Sequence, residues 1–483
     1  MKNTNRRTFL KNSALAAASV SLSARSWGQV AGANDAIRCA VVGFNQRGTS
    51  HINAIPKAEN ARLVALCDVD SAILNKGLSQ AATRGDTVTG YTDIRKLLES
   101  KEVDVITIAT PNHWHSLAAI WSIQAGKDVY LEKPVSHNVW EGRKVVEAAR
   151  EHKKMVQTGT QSRASAGIRE AVQWVKDGNL GKILVSRALC YKRRATIGKV
   201  EAPTPIPDNV DYDLWCGPAP KGPLLRQKLH YDWHWVWATG NGDIGNQAIH
   251  EMDVARWFLG VNELSPSVFA IGGRLGYIDD GETPNTLFAY HGYPNAPLIM
   301  EVRGLPTTKG TERMDNLKGA SVGNIVECEG GYILIRDYNN AVAFDKEGKE
   351  LKRFTGVGSE VPHFANFIKA VRSRDQSGLW ADILEGHLSS ALCHTGNISY
   401  RLGQKESADT IKEKIKGDKE SLATYERMME HLAVNEVDFG QTPMMLGPVL
   451  KMDAKTERFT NNAEANNHLT REYRQPFAVP ERV

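Results

Sequence analysis

Three side chains have the types and spacing for acid–base chemistry on a small molecule. Lys133 lies in "LEKP", directly after an apolar run that predicts a buried strand. Asn246 and His250 lie four residues apart in "GNQAIHEMDVARW", which predicts a helix carrying both on one face. An imidazole exchanges protons near neutral pH, whereas an amide can hold a hydroxyl group but cannot take its proton. An exposed turn lysine and a hydrogen-bonded core histidine are the alternatives for Lys133 and His250.

A glycine-rich loop near the start of the chain is typical of dinucleotide binding. The stretch "IRCAVVGFNQRG" predicts a buried strand, Ile37 to Val42, followed by Gly43-x-Asn45-x-x-Gly48. This is the G-x-G-x-x-G pattern with its middle glycine replaced by asparagine, which tolerates a left-handed backbone. The helix predicted to begin near Thr49 would offer its N-terminus to a pyrophosphate. A glycine turn without a ligand is the alternative.

An acidic residue ends the second apolar run, "ARLVALCDVD". Asp68 follows the glycine loop at the distance typical of a strand–helix–strand unit. A carboxylate there hydrogen-bonds the ribose hydroxyls of the adenosine and repels a 2′-phosphate. The sequence therefore predicts NAD as the cofactor, with NADP less favoured.

Strands and helices alternate through the first third of the chain. Apolar runs at "VDVITIAT", "KDVYLEKP" and "KMVQTGT" are separated by stretches with helical periodicity. This alternation predicts a parallel, doubly wound sheet, whose ligands bind at the carboxyl ends of the strands. The residues at those ends are Thr110, Pro111, Asn112, His113, Lys133 and Pro134.

Two histidines and a tryptophan-rich segment are further candidates. His113 and His115 form His-x-His, but no third ligand has a telling spacing, so packing near the cofactor is favoured and no metal is predicted. If "YDWHWVW" is extended, Trp233, Trp235 and Trp237 share one side, where aromatic faces could stack on a sugar. A plain aromatic core is the alternative.

One polar loop follows the last strand of the first domain. Arg163 and Gln161 in "GTQSRAS" are candidates for contacts to substrate hydroxyls, with an ordinary surface loop as the alternative. The basic "YKRRATIGK" is interpreted as a solvated loop or strand edge.

With "TPNHWH", "AGKDVYLEKP" and "GDIGNQAIHEMDVARWFLG", the chain from about Ile37 to Arg401 resembles the Gfo/Idh/MocA family of oxidoreductases. The resemblance implies a dinucleotide domain followed by an α/β domain with an open, mostly antiparallel sheet. It also implies hydride transfer between a carbon of a sugar or polyol and nicotinamide, with Lys133 and His250 catalytic and His115 near the nicotinamide. Many family members carry Asp where this chain has Asn246, so the usual proton relay lacks its carboxylate; Glu251 or Asp243 are possible substitutes.

The site prediction is therefore as follows. The predicted catalytic residues are Lys133, His250 and Asn246. The predicted cofactor contacts are Gly43, Asn45, Gln46, Arg47, Gly48, Asp68, Thr110, Pro111, Asn112, His115, Glu132 and Lys133. The predicted substrate contacts are Arg163, Trp233, Trp235, Asn246 and His250.

The first residues have the layout of a bacterial signal peptide. Arg6 and Arg7 form a positive region, residues 14–22 are small and apolar, and Ala31 and Ala33 form an A-x-A-like cleavage site. The arginine pair before "TFLK" indicates the twin-arginine route and hence a periplasmic or otherwise exported protein. A disordered basic tail is the alternative.

Composition sets the remaining expectations. The 483 residues are 41% hydrophobic and 24% charged, typical of an ordinary globular protein of two domains. The net charge of +5 gives no case for nucleic acid, and six scattered cysteines predict buried thiols, not a disulfide scaffold. The predicted organisation is a signal peptide (1–33), an NAD-binding domain (34–158), a substrate domain (159–402) and a C-terminal extension (403–483) that wraps the body or a neighbouring subunit.

Export bears on the chemistry, because the twin-arginine route carries folded proteins and no free NAD pool is expected outside the inner membrane. The sequence thus favours a tightly bound NAD that is recycled while an enzyme oxidises a sugar or glycoside hydroxyl, such as that at C3. A redox-neutral NAD-dependent glycosidase ranks second, since "GNQAIH" replaces the Tyr-Pro-Thr-His run of that family branch. A non-catalytic sugar- and NAD-binding protein is the third reading. The expected partner is a small sugar or glycoside, with a homo-oligomer possible and no membrane span.

Overall fold

A computed structural model describes residues 36–483 of the chain. The predicted signal peptide, residues 1–33, lies outside the described residues. The described part builds a parallel sheet followed by a larger mixed sheet. The predicted fold class, a doubly wound parallel sheet plus an α/β domain with a mostly antiparallel sheet, is confirmed.

The first sheet is wholly parallel, with strand order β3-β2-β1-β4-β5-β6. Its strands are β1 Ile37–Val42, β2 Ala61–Cys67, β3 Thr89–Tyr91, β4 Val105–Ile108, β5 Asp128–Leu131 and β6 Val156–Thr158. The helices between them are α1 Arg47–Ala54, α2 Ser71–Thr83, α3 Ile94–Leu98, α4 Asn112–Gln124 and α5 Val139–Glu151. Polar side chains cap three of these helices: Asp70 accepts from the first amides of α2, Asp93 from the Arg95 amide of α3, and Asn138 from the Glu141 amide of α5.

Both faces of the first sheet are buried, which explains the nearly continuous apolar runs of its strands. Ala40 and Val42 of β1 pack into one core, while Cys39 and Val41 pack into the core on the opposite face. The strand order reverses between β1 and β4, and such a reversal opens a crevice at the carboxyl ends of the strands.

The second sheet is antiparallel except where β10 runs parallel to β7. Its main strands are β7 Ile183–Tyr191, β8 Ser267–Gly273, β9 Thr286–His291, β10 Leu298–Arg303, β11 Val322–Cys328, β12 Gly331–Ile335, β13 Ala341–Asp345 and β14 Glu350–Phe354. The helices before β8 are α6 Ala166–Lys176, α7 Tyr212–Cys216, α8 Leu229–Asp232, α9 Gly242–Asn246 and α10 Ala248–Leu259. Short 3-10 helices span Ile55–Lys57, Gln161–Ala164, Trp233–Trp235 and Gln376–Gly378.

After β14 the chain returns to the first domain. Helix α11, Glu360–Ser373, packs Phe364 and Phe367 against Tyr130 of β5. Helix α12, Ile383–Arg401, follows. The first sheet thus receives part of its covering from a segment far along the chain, which the sequence did not reveal.

The C-terminal segment extends the second sheet and then crosses to the first domain. Its elements are β15 Gln404–Lys405, α13 Ala408–Ile415, α14 Lys419–Val434, β16 Met445–Leu446, β17 Leu450–Asp453, β18 Arg458–Phe459 and α15 Ala463–Asn467. Strands β16 and β17 pair with the edge strand β8. Phe477 then packs edge-on against Trp114 of α4, in the core of the first domain. The predicted extension does wrap the body, but it does so largely as helices and added strands.

Residues 36–483 contain neither a membrane-spanning helix nor a cluster of metal-ligating side chains, and their cysteines are buried. No helix there is both long and apolar enough to cross a bilayer. No cluster of three or more histidine, cysteine, aspartate or glutamate side chains in that range could hold a metal ion. All six cysteines lie in that range, and each is a buried free thiol.

Candidate active site

A cleft opens at the carboxyl ends of the first sheet, where the strand order reverses. Gly43 leaves β1 with a φ of +75°, and a Cβ on it would lie 2.9 Å from the Thr110 main chain after β4. Helix α1 starts four residues later with no side-chain cap and no acidic residue in its first turn. Its free amides and positive end therefore face a site where an anion such as a pyrophosphate can bind.

Asp68 lies at the end of β2 and lines this cleft. One carboxylate oxygen accepts from the Phe44 amide of the glycine loop at 3.1 Å, and the other accepts from the Asp70 amide at 3.0 Å. Burial raises the pKa of Asp68, against the lowering effect of these two hydrogen bonds. The carboxylate thus fixes the loop and keeps lone pairs for a ligand hydroxyl.

Glu132 connects the glycine loop to the lysine at the end of β5. It is almost fully buried and binds Arg47 at 2.6 Å, His51 at 3.1 Å and the Lys133 amide at 3.2 Å. Burial alone would raise the pKa of Glu132, but the Arg47 charge, with His51 and Lys133, holds it well below its usual range. Arg47 also pairs with Glu360 of α11. The charges of Arg47 and Glu132, which were both predicted as cofactor contacts, are therefore paired with each other. The pair positions the wall of the cleft.

Lys133 reaches from β5 toward the second domain. Its Nζ donates to the main-chain carbonyl of Asn246 at 2.6 Å, and both residues line the cleft. Burial lowers the pKa of Lys133, although the Glu132 charge opposes that shift. A lysine that gives up its proton more readily is suited to exchange protons with a bound hydroxyl group.

The helix predicted to carry Asn246 and His250 together is broken. Asn246 ends the short helix α9, Gln247 interrupts it, and His250 lies in the first turn of α10. The prediction of one helix that starts after Gly245 was wrong: α9 begins at Gly242, and a second helix begins at Ala248. His250 is buried and lines a neighbouring cavity, and its Nδ1 has no hydrogen-bond partner among the described residues. Burial lowers the pKa of His250 well below its usual value, and the Lys133 charge adds to the effect.

The tryptophan-rich segment is not extended. Residues 229–235 form a helical turn, so the prediction of one shared tryptophan face was wrong. Trp233 lines the cleft and stacks on His234 with ring centroids 3.6 Å apart. Trp235 is buried at 3% exposure behind them, against Arg194, and is absent from the cleft wall. Burial lowers the pKa of His234 to about 4, so the stacked pair presents an uncharged aromatic surface.

Arg163 is occupied within the protein. Its guanidinium makes two hydrogen bonds to Asp253, at 2.7 and 2.9 Å, and one to Glu385 at 2.9 Å. It also lies over the Trp257 ring, 5.1 Å from its centroid. The aspartate three residues after His250 thus anchors this buried arginine. The structure places Arg163 away from the cleft wall, contrary to the predicted substrate contact.

The "TPNHWH" segment begins helix α4 and ties the cleft together. Asn112 donates to Asn241 at 2.9 Å. His113 lies between two main-chain carbonyls of the second domain, and burial lowers its pKa to about 3. His115 lies 2.6 Å from the Pro134 carbonyl and 2.8 Å from the Thr110 carbonyl, joining the ends of β4 and β5. His115 lines the cleft, whereas His113 does not.

A segment that the sequence did not single out as a cofactor contact crosses the mouth of the cleft. We call residues 209–234 the crossing segment. The Val69 carbonyl accepts from the Asp211 amide, and Asp70 binds His230 at 2.9 Å and Asn209 at 2.6 Å. The wall that it contributes consists of Leu214, Trp215, His230, Trp233 and His234. The motif "DYDLWCGPAP" within it was the available signal, but no local pattern shows which side chains turn toward the cleft.

Family comparison decides what this architecture is. Residues 37–160 match the model described as oxidoreductase family, NAD-binding Rossmann fold, and residues 165–279 match the model described as oxidoreductase family, C-terminal alpha/beta domain, both of the Gfo/Idh/MocA group. The chain belongs to the Gfo/Idh/MocA oxidoreductase family. Its first domain is of the NAD-binding Rossmann type of that oxidoreductase family, which indicates a nicotinamide dinucleotide as the cofactor.

Similar proteins support the fold and the group. A glycosyl hydrolase family 109 protein from Shewanella sp. (strain W3-18-1) is 30% identical over 132 residues, which are 26% of this chain and 29% of that protein. An inositol 2-dehydrogenase from Salmonella paratyphi B is 24% identical over 180 residues, 37% of this chain and 52% of that one. The WlbA dehydrogenase from Bordetella pertussis, solved with NADH and UDP-GlcNAcA, superposes with a TM-score of 0.55 at 21% identity, over 74% of this chain and 94% of that one. The chain thus aligns with about a third to a half of these two curated relatives' length.

The cleft of this Gfo/Idh/MocA protein fits a dinucleotide. Gly43 provides close main-chain approach, the start of α1 is uncapped, and the buried Thr110 hydroxyl has no partner among the described residues. The loop residues Asn45 and Gln46 are exposed along the cleft wall. These groups would hold the pyrophosphate and Asp68 the adenosine ribose, while Lys133 and His115 lie at the nicotinamide end of the strands.

Proposed function

We propose that this protein is an exported oxidoreductase that oxidises a ring hydroxyl of a sugar or glycoside, such as that at C3, on NAD that stays bound and is recycled. The observation that carries the proposal is the position of the Lys133 amine. It lies at the cofactor edge of the first sheet and in one cleft with the stacked Trp233–His234 pair. An amine beside an aromatic platform suits a hydroxyl-rich ring with exposed C–H faces.

The residues divide the chemistry between them. Bound NAD supplies the acceptor for a hydride at its nicotinamide C4. Lys133 holds the substrate oxygen, and its lowered pKa allows it to exchange the hydroxyl proton with His250 nearby. Asn246 lines the same cleft and holds a neighbouring hydroxyl through its amide side chain.

NAD is proposed over NADP because of charge at the adenosine end. Asp68 places a carboxylate where the ribose 2′-hydroxyl is expected to bind, and a 2′-phosphate there meets like charge. Tight retention is proposed because the crossing segment lies over the cleft and is held there by Asp70.

The test uses the protein as purified, with no added NAD. It is incubated with glucose, galactose, myo-inositol and their available 4-nitrophenyl glycosides, with and without a keto-sugar acceptor. The proposal expects NAD in the mass spectrum of the protein and many turnovers per bound cofactor. Strict dependence on stoichiometric added NAD, with free NADH accumulating, would contradict recycling.

Glycoside hydrolysis is the second candidate, and the Shewanella relative is the observation that favours it. A C3 ketone acidifies the C2 proton, so the same oxidised ring can lose its glycosidic substituent and then be reduced again. Release of 4-nitrophenol without net change in bound NAD would identify this activity. Tight sugar binding without any turnover would instead identify a non-catalytic binding protein.

Export is proposed from Arg6 and Arg7 and has its own test. Replacing both by lysine should leave unprocessed precursor in the cytoplasm, because the twin-arginine route requires the pair. Processed protein outside the cytoplasm in the double variant would contradict this route.

A further inference from the structure

A second cavity, with a lining separate from that of the cofactor cleft, lies against the start of α10. Its volume is about 260 Å³. Its polar wall combines residues from α10, from the end of β7 and from the turn after β12. These residues are Lys192, Gln247, His250, Glu251, Asp337 and Tyr338.

Glu251 is an unusual member of this wall. Glu251 is 3% exposed, and its Oε1 accepts a hydrogen bond from the side-chain Nε2 of Gln247 at 3.2 Å. Oε2 has no partner among the described residues. A buried carboxyl oxygen without a partner is costly, so a site that keeps one is expected to use it.

The other carboxylates around Lys133 and His250 are occupied. Asp243 makes a two-point pair with Arg194, at 2.7 and 2.8 Å. Glu132 binds Arg47, and Asp253 binds Arg163. Glu251 is therefore the acid near these two residues, within residues 36–483, that combines a free oxygen with a cavity.

The surroundings of Glu251 favour its uncharged form near neutral pH. Burial raises its pKa to about 8, against the Gln247 hydrogen bond and the charges of Lys192 and Lys133. Burial, followed by nearby acidic charges that include Glu251, raises the pKa values of Tyr338 and of the Cys190 and Cys393 thiols, so these groups also lie near it. Arg336 and Asp337 lie at the exposed side of the cavity. A carboxyl group with this pKa takes up and returns a proton at little free-energy cost near neutral pH.

We propose that Glu251 supplies the carboxyl group that Asn246 does not, and takes up the substrate's hydroxyl proton through the cavity that it shares with His250. The inference rests on the proposed oxidoreductase function. As the substrate is oxidised, its O–H bond breaks and a C=O bond forms. A bound nicotinamide would accept the C–H electron pair as hydride. The hydroxyl proton passes from the cleft through the Lys133 amine to His250, whose Nδ1 has no partner among the described residues, and then to the Glu251 carboxylate. When the keto sugar is reduced again, the hydride and the proton both return to it, so the two are recycled together.

The sign of the pH dependence follows from the proton's direction. Oxidation needs Glu251 ionised, so the rate at which substrate reduces bound NAD should rise with pH through about 8. The return half-reaction needs Glu251 protonated, so its rate should fall over the same range. In E251Q the oxidation rate should drop about 10²-fold and lose this alkaline limb. E251D should recover part of the rate with a shifted midpoint.

Two measurements on the holoenzyme test the assignment. Carbon-13 NMR of protein labelled at the glutamate carboxyl carbons should show a midpoint near 8 that E251Q removes. Stopped-flow absorbance follows reduction of bound NAD by the sugars named above. E350Q is the matched control, because Glu350 is an exposed glutamate of β14 that lies outside the cavity wall, and its loss should leave the midpoint unchanged.

The possible results distinguish the role of Glu251 from the proposed oxidoreductase function. A Glu251 resonance that titrates at an ordinary glutamate pH, or an alkaline limb that persists in E251Q, overturns the role of Glu251. A wild type that titrates as expected yet reduces its NAD with none of the sugars overturns the proposed function instead, and with it the role.

Discussion

Lys133 donates over 2.6 Å to the main-chain carbonyl of Asn246, and this bond joins the two domains at the edge of the cofactor cleft. The acceptor is a neutral carbonyl, so it aims the amine without adding a negative charge. Glu132, the residue before Lys133, provides the nearby charge but is itself bound to Arg47. The second domain therefore orients the Lys133 amine through the Asn246 carbonyl. The first domain affects the pKa of Lys133 through the charge of Glu132.

Replacing Lys133 by alanine should abolish most turnover while NAD remains bound. A positioned acid–base group contributes about 10² to 10⁴ in rate. Turnover with the sugar panel and the absorbance of retained NAD measure the two effects separately. Lys154, a half-buried lysine that donates to the Gly126 carbonyl away from the cleft, is the matched control. Equal loss in K154A, or none in K133A, would contradict the role.

Gly43→Ala should weaken both NAD binding and the fold. The new Cβ would lie 2.9 Å from the Thr110 main chain, and the residue would keep a φ of +75°. Gly85→Ala separates backbone strain from the steric clash. Gly85 also has a positive φ, of +82°, but no atom lies within 4 Å of its Cβ position. We expect G85A to lose only about 1–2 kcal/mol of unfolding free energy. Fluorescence titration with NADH should show lost affinity in G43A alone.

Asp68→Asn should narrow the preference for NADH over NADPH. The amide still lies beside the Phe44 and Asp70 backbone, but it no longer repels a 2′-phosphate. Dissociation constants for both dinucleotides, measured on cofactor-stripped protein, test this. If the wild type binds NADPH more tightly than NADH, Asp68 does not face the ribose.

Arg163→Met should destabilise the fold and leave substrate affinity nearly unchanged. It removes one partner of a buried ion pair and leaves Asp253 charged at 1% exposure, which typically costs about 3–5 kcal/mol. Denaturant unfolding measures the loss. Arg353→Ala, which breaks an exposed pair with Glu350, should change stability by less than about 1 kcal/mol. A KM raised at unchanged stability in R163M would restore Arg163 as a substrate contact.

His230→Ala should accelerate NAD release. His230 ties the crossing segment to Asp70, and a hydrogen bond to a charged group is worth about 1.5–3 kcal/mol, roughly tenfold or more in rate. Burial alone would raise the pKa of Asp70, but Asn209, His230 and the α2 amides hold it below its usual value. The hydrogen bond between His230 and Asp70 should therefore persist at neutral pH and weaken only in acid. The exposed His152 is the control, and equal release rates in H152A and H230A would contradict the clamp.

The features that depend only on neighbouring residues in the chain were predicted correctly from the sequence. The β1 strand, the glycine turn and the strand–helix alternation followed from apolar runs and conformational preference, and all three are confirmed. The tryptophan segment failed because Asp232 accepts the Lys228 amide and closes a helical turn that side-chain alternation does not show. Arg163 failed for another reason: its partners, Asp253 and Glu385, lie far along the chain, and no spacing predicts such a pair.

The same limit applies around the catalytic candidates. Sequence identified Asp243 and Glu251 as possible substitutes for the missing carboxylate but could not choose between them. The choice depends on Arg194, which neutralises Asp243 from a separate loop. The domain boundaries proposed at residues 158 and 402 remain predictions, and they do not describe α11 or Phe477, which cross back to the first domain.

Phe477 also sets the order in which the molecule can be completed. It is 1% exposed between Trp114 and Trp121, inside the core that supports the cofactor cleft. The ribosome adds this residue only after the whole second domain has been made. The cofactor domain therefore cannot close its core during its own synthesis, and the core that supports the cofactor cleft is complete only after Phe477 has been translated.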